Sequence, residues 1–490
     1  MADVLLRVLE ILCIVAVAFG AIPVLVGVYQ YLFVPVHALR NHWPRSAPYL
    51  PRVVVVLPAW NEGAVLEASL ERLMHLEYPP ERLRVLVVDD ASTDDTPVVA
   101  RAMAARHPGR ILHLRREQGG QGKAHTLNHG IATALADDWM EALLVMDADV
   151  IFAPESLRRM TRHLADPEVG AVTGYIAEGS RRPASVARFI GYEYVAAQAA
   201  ARRAQNVLGA MACLAGGAQL HSRANLVAVG GAIDTTTLAE DTYTTFLTQL
   251  GGKRVVFDPT AHVLAEEPAS VQALWKQRLR WARGNIQITS RFRKVWFRPS
   301  REHRLGSVSF GVIWFSVLGL PVAAVLASLG LVTLHLLDDV AALELFTILW
   351  WVAVLAYVYV TMLTLLIDPR TARRAWFEGL TFPGLGAIVV MVAAWRPDTW
   401  LGFVGIEVTG TTHVVILYVL YAWPMVAMCL AWLLKLLDGV LPWRWITSLL
   451  LYVIGFGPLL CAISLDSYVK EITGAATTWD KTEKTGRVMG

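Results

Sequence analysis

The chain has 490 residues, of which 55% are hydrophobic and only 17% are charged. This composition is too apolar for an ordinary soluble protein and is typical of a membrane protein. The net charge of +3 is small, so it gives no reason to expect a nucleic acid partner. The four cysteines lie far apart without a metal-binding pattern, which predicts packing roles for them.

The chain begins with an apolar stretch that is longer than the core of a signal peptide and has no convincing cleavage site. We therefore predict a membrane-spanning helix over residues 1–36. Arg40, Arg45 and Arg52 follow this stretch. By the positive-inside rule they place the next domain in the cytoplasm of a multi-pass protein of the inner or plasma membrane.

Residues 50–265 alternate between short apolar runs and amphipathic stretches. This alternation predicts an α/β domain with a parallel-sheet core, whose ligands bind at the carboxyl ends of the strands. The predicted strands lie at residues 52–58, 83–88, 111–114 and 142–146, and the predicted helices between them include 62–76 and 123–135.

Two further stretches combine arginines with aromatic and small residues, at 186–207 and 271–288. This pattern predicts amphipathic helices on the membrane surface, and we assign residues 266–300 to such an interfacial region.

Residues 307–466 form the predicted transmembrane region. Prolines and glycines interrupt the apolar pattern near 376–410, which favours a re-entrant or interfacial segment there. A full crossing at 376–395 is the alternative, because it would place Lys435 and Arg444 on the cytoplasmic side. The predicted spans lie near 308–336, 343–367, 412–434 and 445–465, each long enough for a bilayer core.

Two acidic motifs follow predicted strands. The carboxylates of Asp89 and Asp90 can accept hydrogen bonds from a nucleotide base or ribose, although turn formation explains such a pair equally well. Asp147 and Asp149 offer the hard oxygen ligands that suit Mg²⁺ or Mn²⁺. A metal there would neutralise charge on a departing diphosphate.

Two more motifs lie further along the chain. Glu240 and Asp241 precede a predicted helix, where a carboxylate could act as general base; acids favoured by the helix dipole are the simpler explanation. Gln277, Arg280 and Trp281 lie on the second interfacial helix, where Trp could stack on a sugar and Arg could pair with phosphate. An aromatic and basic belt explains Arg280 and Trp281 but not Gln277.

Taken in this order, the four motifs resemble those of the processive family 2 glycosyltransferases, which include cellulose, hyaluronan, chitin-oligosaccharide and poly-N-acetylglucosamine synthases. The resemblance covers residues 50–295 strongly and is closest to the poly-N-acetylglucosamine synthases. It implies a Rossmann-like GT-A domain joined to transmembrane helices. It also implies inverting, processive synthesis of a polysaccharide from a UDP-sugar, with UDP-GlcNAc or UDP-glucose favoured.

The resemblance also implies a role for each matching residue. Asp241 would be the base beside Glu240, and Asp149 would bind the metal. The nucleotide and its diphosphate would contact Asp89, Asp90, Lys123, Asp147, Gln277, Arg280 and Trp281. The acceptor sugar would lie against Gly216, Gly217 and Trp281. Ala239 departs from the threonine that is usual in the family, so a contact made by that threonine is in doubt.

Residues 467–490 resemble the gating loop of cellulose synthases, with Trp479, Thr482 and Lys484 at the matching positions. The resemblance implies that this cytoplasmic tail closes over the diphosphate, whereas a solvated charged tail is the alternative. The expected partners are the UDP-sugar, the growing polysaccharide, membrane lipids and accessory secretion subunits. A non-processive enzyme with a lipid acceptor and an inactive export scaffold are the rival functions.

Overall fold

The computed structural model describes residues 1–40, 48–180, 183–337, 339–395, 410–440 and 444–475. The gating-loop prediction for Trp479, Thr482 and Lys484 therefore lies outside the described residues.

An eight-stranded sheet forms the centre of the α/β domain, in the order β3-β2-β1-β4-β7-β6-β8-β5. Strands β1 to β4 are parallel, as the sequence predicts. The pairs β4·β7, β6·β7 and β5·β8 are antiparallel, so the complete sheet is mixed. The strands are β1 Val53–Ala59, β2 Leu83–Asp89, β3 Ile111–Arg115, β4 Ala142–Val145, β5 Val150–Phe152, β6 Val169–Glu178, β7 Gln219–Ser222 and β8 Arg254–Ala265.

Helices cover both faces of this sheet. In β1, Val53 and Val55 pack into the core on one face while Val54 and Val56 pack on the other. Because both faces are buried, the strand is continuously apolar, and the polar residues fall just beyond the strand ends. The α-helices from the start of the chain to the end of this domain are α1 Ala2–Tyr31, α2 Phe33–Leu39, α3 Gly63–Met74, α4 Thr96–Arg106, α5 Lys123–Leu135, α6 Ser156–Thr161, α7 Ser185–Glu193, α8 Ala200–Leu208, α9 Arg223–Ala228, α10 Glu240–Leu250 and α11 Val271–Arg291.

The remaining helices form a bundle with α1. Among the described residues, four helices are long and apolar enough to cross a membrane, or five if a bent pair counts as one span. These helices fit a membrane protein. The bundle and its flanks contain α12 Val308–Leu337, α13 Asp339–Ile367, α14 Pro369–Arg374, α15 Trp376–Leu380, α16 Leu385–Trp395, α17 Gly410–Val440, α18 Arg444–Ile454 and α19 Phe456–Ile472.

Contacts with the α/β domain define a domain end and a distal end of the bundle. Helix α13 is followed by Asp368, which accepts a hydrogen bond from Tyr175 of β6 at 2.9 Å, so this point lies at the domain end. In α17, the ring centre of Tyr418 lies 4.8 Å from that of His335, near the distal end of α12. Helix α17 then returns to the domain end, where Asp438 accepts a hydrogen bond from the backbone of α11.

The described part of 376–410 bears on the choice between a re-entrant segment and a full crossing. Helix α15 lies at the domain end, where Glu378 pairs with Arg188 at 2.6 Å. In α16, Val390 already packs into the distal cluster that contains Tyr421. Helix α16 therefore runs from the domain end towards the distal end, which favours the full-crossing alternative. Residues 396–409 of the predicted segment lie outside the described residues.

The predicted span at 445–465 consists instead of α18 and α19, which meet at 90°. Gly455 lies between them with φ 94, a conformation that favours glycine. Both helices stay at the domain end, because Tyr452 contacts Arg188 at 2.9 Å and Asp466 accepts a hydrogen bond from Trp275 at 2.7 Å. Lys435 and the end of α19 consequently lie on the same side as the α/β domain.

Candidate active site

A cavity of 790 Å³ opens at the carboxyl ends of β1 and β4, bordered by the start of α5, the start of α10 and one face of α11. The structure brings together here all but one of the predicted site residues that it describes. These residues are Asp90, Lys123, Asp147, Asp149, Gly216, Gly217, Glu240, Asp241, Gln277, Arg280 and Trp281.

Asp89 is the exception, because it does not line the cavity, and its contact with the nucleotide stays a prediction. Its carboxylate is fully buried, where it accepts hydrogen bonds from the backbone of Ser92 at 2.8 Å and from Arg115 at 2.5 Å. Asp89 is the last residue of β2, whereas Asp90 follows the strand, and only Asp90 faces the cavity. Asp90 lines it and accepts a hydrogen bond from the Gly120 backbone at 3.0 Å.

Lys123 occupies the first position of α5 and lies among carboxylates. Its Nζ lies 2.5 Å from Asp147 Oδ1 and donates to the Gly216 carbonyl at 3.3 Å. Burial lowers the pKa of Lys123, but Asp147, Glu240 and Asp241 outweigh it, so the net pKa is raised. A permanent cation at a helix N-terminus is suited to binding a diphosphate.

Glu240 and Asp241 begin α10 and face the same space. A Cβ added at Gly216 would lie 3.2 Å from Asp241 Oδ2 and 3.6 Å from Lys123 Nζ, so this glycine passes close to both groups. Burial raises the pKa of Glu240, as does the neighbouring Asp241, while Lys123 and Arg280 oppose the rise.

Small residues allow α11 to approach α10 closely. A Cβ at Gly284 would lie only 2.6 Å from the Cβ of Ala239. Ala239 stands where the family usually has threonine, so in this chain the position is a packing contact beside Glu240. This contact holds the wall that carries Gln277, Arg280 and Trp281 against the residues of α10.

Gln277 lines the cavity, and this position explains a residue that a membrane-surface belt of aromatic and basic side chains does not. Its Nε2 donates to Glu267 Oε2 at 3.3 Å, and Glu267 also accepts from Tyr194 at 2.6 Å. Gln277 Oε1 is buried and has no hydrogen-bond partner within the described parts of the chain. This side chain lines the cavity, so the oxygen is an acceptor available to a sugar hydroxyl or N–H group.

A buried ion pair that was not predicted from the sequence supports Trp281. Arg278 lies 2.7 Å from Glu193, and its guanidinium lies 4.0 Å from the centre of the Trp281 ring. The spacing of Arg278 and Trp281, three residues apart on one helix, was the available signal. Nothing in the sequence indicated that Glu193 would be the partner.

The predicted packing role does not fully describe Cys213, because this residue also lines the cavity. Burial raises the pKa of its thiol, and the nearby Asp241 raises it further. The thiol is therefore neutral at physiological pH, which argues against a nucleophilic role.

The cavity offers carboxylates for a divalent metal. Asp147 and Asp149 both line it, and Mg²⁺ in proteins is bound by one or two carboxylates together with substrate phosphates. No group of three or more His, Cys, Asp or Glu side chains forms a metal cage within the described ranges. The donor set thus fits a metal that binds together with a nucleotide.

Comparisons with known proteins agree with this geometry. Residues 51–284 match the family described as glycosyltransferase like family 2. The chain resembles the solved mannosyltransferase PcManGT from Pyrobaculum calidifontis in complex with GDP-Man and Mn²⁺, with 25% identity and a TM-score of 0.52, over 72% of this chain and 96% of that one. The catalytic domain therefore has a GT-A-like glycosyltransferase fold.

Two curated relatives extend the likeness. The probable glycosyltransferase YdaM of Bacillus subtilis (strain 168) is 28% identical over 341 residues, covering 68% of this chain and 79% of that protein. The poly-beta-1,6-N-acetyl-D-glucosamine synthase of Staphylococcus aureus (strain COL) is 28% identical over 245 residues, which is 49% of this chain and 56% of that one. The match thus spans little more than half of the synthase. The chain therefore carries a family 2 glycosyltransferase domain over residues 51–284.

Proposed function

We propose that the protein is a processive, inverting glycosyltransferase that builds an extracellular polysaccharide from a UDP-sugar at the cytoplasmic face and passes the product across the membrane. The supporting observation is that four motifs distant in sequence line one cavity at the domain end of an apolar helix bundle. UDP-GlcNAc is the favoured donor over UDP-glucose, because a relative is a synthase of poly-N-acetylglucosamine.

The proposed reaction uses groups already close together. Asp241 accepts the proton of the acceptor hydroxyl, whose oxygen attacks the anomeric carbon as the bond to the diphosphate oxygen breaks. The products are the elongated chain and UDP, and attack opposite the leaving group inverts the anomeric centre. Lys123 and Arg280, with the N-terminus of α5, stabilise the charge of the leaving diphosphate. Mg²⁺ or Mn²⁺ held by Asp149 would neutralise more of that charge.

The end of α19 supports a role for the tail. Arg283 of α11 pairs with Glu471 at 2.5 Å and donates to the Ala475 carbonyl at 2.7 Å. The chain thus reaches Ala475 beside the helix that carries Trp281, shortly before Trp479. We infer that the tail is cytoplasmic, and a protease or thiol label applied from outside should not reach it. Labelling of the tail from outside would end the gating hypothesis.

The direct test is to incubate the purified chain with a panel of UDP-sugars and to size the products. We expect one UDP-sugar to give a polymer and to release UDP. A lipid carrying a single sugar would instead establish the non-processive rival. Absence of UDP release with every donor would favour the scaffold rival.

A further inference from the structure

A strongly basic segment connects α11 to the first helix after the catalytic domain. We call residues 291–304 the basic turn. It contains a single acid, Glu302, and its cations are all exposed. None of these cations forms an ion pair within the part of the chain that the structure describes. They are Arg291, Arg293, Lys294, Arg298, Arg301 and Arg304.

Phe297 fixes the position of the basic turn relative to the bundle. It adopts φ 57, which is unusual for a residue with a large side chain, and it is 47% exposed. Its ring stacks on Phe315 of α12 with centroids 5.6 Å apart. A Cβ at Gly311 would lie 2.6 Å from this ring, so the glycine makes room for it.

This arrangement places an apolar ring and a set of cations at different depths. Phe315 lies about 10 Å along α12 from its first residue, at a rise of roughly 1.5 Å per residue. In a bilayer spanned by α12, Phe297 would thus reach the boundary of the acyl chains. Lys294 and Arg298, close to it in sequence, would lie at the level of the lipid headgroups.

We propose that the basic turn is a binding site for anionic phospholipid, in which the cations bind headgroup phosphates and Phe297 contacts the acyl chains. The positive-inside rule alone accounts for cations near α12, but not for an exposed aromatic ring held at positive φ against the helix. The proposal does not depend on the sugar transferred or on processivity.

The site is connected to the catalytic domain through an aromatic cluster. The ring centres of Trp296 and Phe246 of α10 lie 5.8 Å apart, and Trp296 Nε1 donates to the Thr289 carbonyl at 2.9 Å. Phe246 is fully buried in the helix that begins with Glu240 and Asp241. Lipid bound at the basic turn therefore stabilises the folded domain, so thermal unfolding reports binding without any measurement of transfer.

The experiment titrates phosphatidylglycerol into the full chain in neutral detergent micelles and follows the thermal midpoint. The wild-type midpoint should rise, and the double variant Lys294→Gln with Arg298→Gln should need about 25-fold more lipid, from roughly 1 kcal/mol for each cation near a lipid surface. The control double variant Arg101→Gln with Arg106→Gln removes two exposed cations from α4 and should respond like wild type.

Two further arms identify the ligand. Phe297→Asn retains a residue that tolerates positive φ but removes the ring, and it should also weaken the response. Inorganic phosphate at the same concentration should not raise the midpoint. Equal responses of wild type and the Lys294 and Arg298 double variant, or equal stabilisation by phosphate and by lipid, would overturn the proposal.

Discussion

The two walls of the cavity are built in different ways. On the sheet wall, Asp90 and Asp147 follow β2 and β4, and the register of parallel strands places them at one edge. On the helix wall, α11 is held by partners far away in the chain, Glu193 through Arg278 and Glu471 through Arg283. The comparison indicates that strand ends position the carboxylates of the sheet wall, whereas long-range ion pairs position the helix that carries Trp281.

The largest effect is expected at Asp241, which lies between the two walls. Asp241→Asn keeps the shape of the side chain but removes the base, so turnover should fall by about 10²- to 10⁴-fold while UDP binding persists. Transfer assays and UDP titration measure the two properties separately. Asp138→Asn, which alters a fully exposed carboxylate, is the control. Near-normal turnover of the Asp241 variant would contradict the assignment of the base.

Glu193→Gln tests whether the helix wall depends on its buried pair. Removal of one partner leaves the Arg278 guanidinium buried without a counter-ion, which should cost about 3–5 kcal/mol of unfolding free energy. Acceptor binding should also weaken, because Arg278 packs on Trp281. Glu67→Gln removes the exposed partner of Arg106 and should cost at most about 1 kcal/mol. Similar losses of unfolding free energy in both variants would show that the helix wall does not depend on the pair of Glu193 and Arg278.

Gly216→Ala narrows the space between the walls. The added methyl group would approach both Asp241 and Lys123, so kcat should fall by about 10- to 100-fold with little change in the thermal midpoint. In Gly319→Ala, the methyl group meets nothing within 4 Å in α12, and activity should remain unchanged. An unimpaired Gly216 variant would exclude this close approach as a requirement for transfer.

The smallest effect is expected in the pH dependence of stability and involves His221, a buried residue of β7. Burial lowers the pKa of His221 to about 4, from 6.5, so the unfolded chain binds more protons than the folded chain between these values. The free energy of unfolding should therefore decrease by about 1–2 kcal/mol as the pH falls from 7 to 5. Thermal midpoints measured across this range should change less in His221→Gln, and an identical pH slope would remove His221 as the cause.

The sequence predicted the parallel part of the sheet well and its antiparallel part not at all. Strands β1 to β4 alternate with helices, and that rhythm requires parallel crossovers. The short β7 carries no such signal, since its four residues are recognisable as a strand only beside β4 and β6. The same limit explains Asp89 and Asp90, because sequence adjacency did not reveal which carboxylate faces the cavity.

In the helix bundle, the sequence likewise predicted individual helices but not how they are arranged. Hydropathy identified α12, α13 and α17, because a long apolar helix is a property of its own residues. The bend at Gly455 between α18 and α19 depended on partners elsewhere, such as Arg188 for Tyr452 and Trp275 for Asp466.

The sequence by itself determined the class of the protein, the parallel strands and the motif residues, since periodicity and residue chemistry are local. Only the tertiary structure decided that Asp89 is buried, that Glu193 supports Trp281 through Arg278, and that α19 ends beside α11. Each of these depends on which distant groups share a buried space, and burial strengthens or penalises charges in ways that a linear pattern does not contain.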